Sequence, residues 1–137
     1  MELEWQAWRD ETDEAYPYAT EEGDPLVLDF RPTFARLLED RERQEAIPVM
    51  ARRFHNTMIE AVAATAARLC EENEVRQVAL SGGSFQNVLL LQGVARRLRA
   101  LGLTPVVHKN VPPNDGGLAL GQVVLANLIV DSEEEER

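Results

Sequence analysis

Val78-Ala79-Leu80-Ser81-Gly82-Gly83-Ser84-Phe85-Gln86-Asn87 is the stretch from which this chain is best read. An apolar run ends, two glycines follow, and a helical pattern begins. Val106-Val107 leads, through a short polar connection, into Pro112-Pro113-Asn114-Asp115-Gly116-Gly117, which has the same layout. A strand that turns through glycine into a helix start presents backbone N–H groups and a positive dipole end. Such a place suits a phosphate or a carboxylate. Two of them in one small α/β unit point to a nucleotide-type ligand. A tight turn without any ligand fits the same residues, since Ser-Gly-Gly turns are common. Neither the dinucleotide fingerprint nor the P-loop pattern occurs.

Working outward, the periodicity predicts strands at 76–80 and 104–108 on either side of a helix over 85–101. That helix should bury Val88, Leu91, Val94, Ala95, Leu98 and Leu101, and Gly102 should stop it. A helix over 116–129 follows the second glycine pair. It is apolar almost all round, so it should be covered or lie at an interface. Upstream, the longest helical pattern runs 47–72, with Ile47, Met50, Phe54, Met58, Ala61, Val62 and Leu69 on its apolar stripe. A shorter helix over 32–42 turns Phe34, Leu37 and Leu38 to one side, with Pro32 in its first turn. Residues 26–30 read as a strand, 15–24 as a loop and 1–14 as a polar helix. The order is an α/β layer pattern with at least part of its sheet parallel. Three short strands are too few to cover these helices, so the chain reads as part of a larger unit.

Composition narrows the function classes. The 137 residues suit one domain, and 45% hydrophobic content allows a core. A formal net charge of −10 argues against a nucleic-acid or anionic-membrane binder. Arg52-Arg53 and Arg96-Arg97-x-Arg99 sit in helical patterns and read as solvated faces. The single cysteine, Cys70, excludes an internal disulfide and reads as a small packing residue. The acidic N-terminus lacks a signal-peptide pattern, and no run reaches the ~18 apolar residues of a membrane helix. A cytoplasmic protein is expected.

The glycine sites carry the chemistry-bearing residues. Ser81 offers a hydroxyl, and Asn87 an amide able to read a base or ribose. Asp115 reads either as an N-cap or as a ligand for a metal or a nucleotide phosphate. His55 reads as a core or boundary residue, and His108 as an exposed strand end. The two histidines form no ligand spacing, so most ligands of any transition metal would come from elsewhere.

The segment 78–87, the segment Val111-Pro112-Pro113-Asn114-Asp115-Gly116-Gly117-Leu118-Ala119-Leu120-Gly121-Gln122, the stretch Ala51-Arg52-Arg53-Phe54-His55-Asn56-Thr57 and the start Met1-Glu2-Leu3-Glu4 together resemble the C-terminal end of HypF. These are the carbamoyltransferases of nickel–iron hydrogenase maturation. The resemblance spans residues 1–130 and leaves 131–137 as an acidic, disordered tail. More distantly, the chain is similar to the TsaD family of tRNA threonylcarbamoyl transferases.

The resemblance implies an actin/Hsp70-like (ASKHA) ATPase fold of two RNase H-like lobes, of which this chain would be a partial second lobe. It implies ATP as substrate and a divalent metal (iron, zinc or magnesium). Carbamoyl phosphate and ATP would yield carbamoyl-adenylate, and the carbamoyl group would pass to the C-terminal cysteine of a HypE-like acceptor. Ser81, Gly82, Gly83 and Asn87 match the nucleotide-contacting motif. Gly116 and Gly117 belong to the second nucleotide motif, with Asn114 beside them. Asp115 matches the metal-binding carboxylate, and His55 and Asn56 match a motif near the nucleotide.

Two positions depart from the family: Ser84 stands for the usual valine and Val88 for the usual arginine. Losing an arginine beside an anion removes a charge-assisted hydrogen bond of ~1.5–3 kcal/mol. The family's acylphosphatase-like, zinc-finger and YrdC-like domains and its first lobe, with the histidine metal ligands, have no match here. Activity is therefore expected to need a complementing lobe. Self-association is also expected, because a truncated sheet leaves an open edge. The alternative is a degenerate, non-catalytic lobe that serves as a protein-interaction or dimerisation module.

Overall fold

The computed structural model describes residues 2–135, with side chains placed to residue 127. The elements run α1 (Glu2–Ala7), β1 (Ala19–Glu21), β2 (Val27–Asp29), α2 (Arg31–Glu42), α3 (Ile47–Glu72), β3 (Gln77–Leu80), α4 (Val88–Ala100), β4 (Thr104–Val107) and α5 (Leu118–Glu135). Short 3₁₀ turns at Gly83–Gln86 and Asp115–Gly117 precede α4 and α5. β3 and β4 pair in parallel, from Gln77↔Thr104 to Leu80↔Val107, with α4 as the crossover. β1 and β2 form a separate antiparallel pair. The molecule is a mixed α/β unit, as the pattern predicted.

The main core lies between α3, α4 and β3. Ala63, Leu80, Val94, Ala95 and Leu98 are buried there, ringed by Ile59, Val62, Val78 and Val107. α3 and α4 approach so closely that a Cβ on Gly93 would stand 2.2 Å from Ile59 Cδ1. A second cluster, Ala7, Ala51 and Leu89, docks α1 on the same helices. Cys70 is buried and unbridged, as expected of a packing residue.

The first helix ends at Ala7, not near 14. The Asp10 carboxylate accepts from Thr12 N–H at 2.8 Å, and Thr12 Oγ1 accepts from Glu14 N–H at 3.2 Å. These local bonds compete with helix continuation. The extended segment beyond is held on α3. Asn56 Nδ2 donates to the Thr12 and Glu14 carbonyls, each at 2.8 Å, and Tyr16 N–H donates to Thr57 Oγ1 at 2.8 Å. Tyr16 is buried and its hydroxyl donates to Asp40 Oδ2 at 3.0 Å, which also accepts from Arg53 Nη1 at 2.8 Å. Burial first, then the bond to Asp40 and its charge, push the Tyr16 hydroxyl up to about 12.

Several apolar residues expected inward face out. In α2 the inward positions are Thr33 and Asp40, while Phe34 and Leu38 are 56% and 53% exposed. Thr33 Oγ1 donates to the Pro17 carbonyl at 2.7 Å, so that face is committed to polar contacts with the N-terminal segment. Val88, Leu101, Ile47 and Leu69 are likewise exposed. Along α5, Leu118, Leu120, Val123, Val124 and Leu125 all stand more than half exposed, so the described residues do not cover this part of the helix.

α5 extends to Glu135, past the boundary at 129 read from sequence, because no glycine or proline interrupts it after Gly121 and glutamate is a good helix former. Five residues of the expected disordered tail thus fall within this helix, and 136 and 137 lie outside the described residues. No helix among the described residues is long and apolar enough to cross a membrane.

Candidate functional site

Because β3 and β4 are parallel, both carboxyl ends emerge at one edge, the usual place for ligands in open parallel sheets. The two glycine loops leave from those ends and meet. Gly82 N–H donates to the Pro113 carbonyl at 2.6 Å. Ser81 Oγ and His108 Nε2, the residues just past the paired strand ends, lie 2.9 Å apart. Between the loops and the first turns of α5 is an open cleft of about 400 Å³, lined among others by Ser81, Gly82, His108, Asn114, Asp115 and Gly117. Gly83, Gly116, Asn87, His55 and Asn56 do not line it.

The first loop departs from its expected helix start. Gly82 adopts φ 102°, ψ 162°, a region open essentially to glycine alone. Gly83–Gln86 then forms a 3₁₀ turn, and α4 begins only at Val88. Its N-terminus is already occupied. Glu4 Oε1, from α1, accepts from Val88 N–H at 2.7 Å and from Leu89 N–H at 3.3 Å. Asn87 Oδ1 caps Leu90 N–H at 2.9 Å. The free helix start expected at this site is therefore filled by the chain's own carboxylate and amide. The amides that remain open lie earlier: the Gly83 and Ser84 N–H groups lead the 3₁₀ turn and have no acceptor among the described residues.

Asn87 also faces back into the protein. Its Nδ2 stands 2.8 Å from His55 Nε2, and His55 Nδ1 stands 2.8 Å from the Ala51 carbonyl. A carbonyl only accepts, so Nδ1 carries the proton and Nε2 accepts from Asn87. His55 is 4% exposed, the satisfied core histidine that the sequence reading offered. It orients Asn87, and Asn87 orients the start of α4. Asn56, one residue on, points the other way and serves only the segment 12–14 described above.

In the second loop the cap is Asn114, not Asp115. Asn114 Oδ1 accepts from Gly116 N–H, and its carbonyl from Gly117 N–H, both at 3.0 Å. An Asx turn of this kind needs only a side-chain oxygen two residues back. The Asp115 carbonyl accepts from Leu118 N–H, while its carboxylate is left exposed with no hydrogen bond or ion pair among the described residues. No group of three or more His, Cys, Asp or Glu able to hold a metal occurs among the described residues. One carboxylate is not a metal site by itself, so the described residues alone do not complete one here.

The contact of Ser81 with His108 was legible in principle, since strands paired Leu80↔Val107 bring the next residues together. The role of Glu4 was not, because 84 positions separate it from Val88.

The comparisons with known proteins agree with this geometry. Residues 1–122 match the family model described as carbamoyltransferase, Kae1-like domain, second subdomain. HypF carbamoyltransferases from Rhizobium leguminosarum bv. viciae and Synechocystis are 42% identical over 107 residues and 32% identical over 124. These matches cover 78% and 89% of this chain but only 14% and 15% of the relatives. The crystal structure of full-length HypF in a phosphate- and nucleotide-bound form superposes with a TM-score of 0.87 at 34% identity, over 94% of this chain and 17% of that one. HypF of T. kodakarensis gives 0.79 at 27%, over 96% and 17%. The chain belongs to the HypF carbamoyltransferase family, where it corresponds to the second subdomain of the Kae1-like domain.

Proposed function

We propose that this chain supplies the nucleotide-holding half of a HypF-type carbamoyltransferase acting in the cytoplasm. The observation that carries the reading is the convergence of the two glycine loops at the carboxyl edge of β3 and β4, tied by Gly82 N–H to Pro113. The open Gly83 and Ser84 amides would receive phosphate oxygens of ATP, with Ser81, Gly116 and Gly117 around them. Asn87 and His55 act at one remove, by holding the loop against α4. Asn114 shapes the second loop and leaves Asp115 free to offer one oxygen to a divalent metal shared with the complementing lobe. A bound metal would screen the phosphate charge. The likeness to a HypF crystallised with phosphate and nucleotide supports the assignment.

On this reading the exposed apolar faces of α2 and α5 meet the first lobe or a second copy of the chain. The full reaction, carbamoyl-adenylate formation and transfer to a HypE-like cysteine, then needs that partner. The same exposed faces favour one alternative, a non-catalytic docking module. Isothermal titration with ATP and a non-hydrolysable analogue, with and without divalent metal, separates the two. Binding that is lost in Gly83→Val and becomes metal-independent in Asp115→Ala supports the nucleotide half-site. No binding at millimolar ATP, even after the remainder of a HypF is added in trans, leaves the docking module.

A further inference from the structure

The arginines of Arg52-Arg53 and Arg96-Arg97-x-Arg99 do not share one fate. Arg53 is bound by Glu14 and Asp40, and Arg97 by Glu60 at 3.0 Å. Arg52, Arg96 and Arg99 have no ion pair among the described residues, although acids outnumber bases 24 to 14 in this chain. All three line one cleft of about 660 Å³ between α3, α4 and the segment that follows α1, together with Trp8 and Gln92. Gln92, Arg96 and Arg99 recur at helical spacing and so share one face of α4. A second cleft of about 300 Å³ adjoins it and shares Arg52 and Arg96. Arg52 Nε is fully buried and has no hydrogen-bond partner. Asp10 and Glu11 also line the cleft, but neither forms an ion pair with these arginines. The Asp10 carboxylate is turned to Thr12 N–H.

A guanidinium donor buried without an acceptor is an unfilled half of a hydrogen bond. Three arginines without ion pairs among the described residues line one concave surface, beside a half-exposed indole, and suit a planar or tetrahedral oxyanion. We propose that this cleft binds a small molecule carrying phosphate or carboxylate groups. It lies apart from the glycine loops, with which it shares no lining residue. Two arginines on α4 and one on α3 clamp the anion, and Trp8 covers its non-ionic part. The inference stands whether or not the glycine loops bind nucleotide.

The test uses the whole chain, with pyrophosphate and citrate as separate probes and arginine Nε–Hε signals followed by NMR. Saturable shifts at Arg52 are expected, and the tighter probe tells phosphate from carboxylate. The pair Arg96→Gln and Arg99→Gln should weaken binding about tenfold or more. Arg97 lines only the adjoining cleft and is paired with Glu60, so Arg97→Gln should weaken binding clearly less than Arg96→Gln. Arg52→Lys keeps the charge but loses the fork, and should weaken binding while the protein stays folded. The proposal is overturned if neither probe shifts Arg52 at roughly 10 mM, or if Arg97→Gln costs as much as Arg96→Gln, which would mark diffuse charge attraction only.

Discussion

The two glycine pairs look alike in sequence and are built for different reasons. A Cβ added at Gly82 or Gly83 would meet nothing within 4 Å. One added at Gly117 would meet Val111 Cγ1 at 2.7 Å and the Pro112 carbonyl oxygen at 2.8 Å, and at Gly116 it would meet Asn114 Oδ1 at 3.1 Å. The second pair is glycine because its own loop fills the space. The first is glycine at 82 because of backbone conformation, and at 83 no contact among the described residues requires it. A residue kept small beside empty space, next to open amides, is what a ligand-approach surface looks like when seen alone. Substitutions at the four loop positions that matter should therefore separate packing, conformation, capping and access.

The largest effect is expected at Gly117. A backbone oxygen cannot rotate away from a new methyl group, so Gly117→Ala must displace residues 111–112. Overpacking of this kind costs about 1–3 kcal/mol. Denaturant unfolding checks the cost, and hydrogen exchange at Gly82 N–H, bonded to Pro113, reports whether the loops have parted. The loss should grow from Ala to Val. If Gly117→Val is as stable as wild type, the packing account of the second pair fails.

Gly82→Ala is expected to cost a similar or slightly smaller amount, roughly 1–3 kcal/mol, for strain at a positive φ. The signature differs from that at Gly117. Space is not limiting here, so Ala and Ser should cost about the same. A steep dependence on side-chain size would erase the contrast between the two loops.

Asn87 comes next. Asn87→Ala removes the cap on Leu90 N–H and leaves His55 Nε2 without its donor. A lost N-cap costs about 0.5–2 kcal/mol. Because Glu4 still serves Val88 and Leu89, thermal unfolding should show the lower half of that range. A loss above it would mean the His55–Asn87 contact matters more than the cap.

The difference between the loops also explains what could be read ahead of the structure. α3, β3, α4 and β4 were legible because each has a clear apolar period, whereas α2 was placed by Pro32 in its first turn although Phe34 and Leu38 face outward. Ala19–Glu21 was not, since all three residues of that strand are exposed and lack alternation. Its partner β2 was found from Leu26 to Phe30 alone. Both glycine motifs and their convergence follow from parallel strand order. The filling of the α4 N-terminus by Glu4 and the capture of Asn87 by His55 do not. They depend on where α1 and α3 come to lie, and no local pattern encodes that.

Gly83 gives the smallest and most telling change in stability. Its φ is not positive, and a methyl group there touches nothing. Gly83→Ala should therefore stabilise the fold by about 0.4–1 kcal/mol, by narrowing the unfolded ensemble. The same methyl group stands beside the amides proposed to receive phosphate, so ATP affinity should fall while the melting temperature rises. That opposition is hard to produce by structural damage, which lowers both. If Gly83→Ala is stabilised and binds ATP unchanged, the open space at the first loop belongs to a docking lobe, and the phosphate must be sought nearer Ser81 and His108. If it is destabilised, Gly83 is a packing residue after all and the two loops are alike.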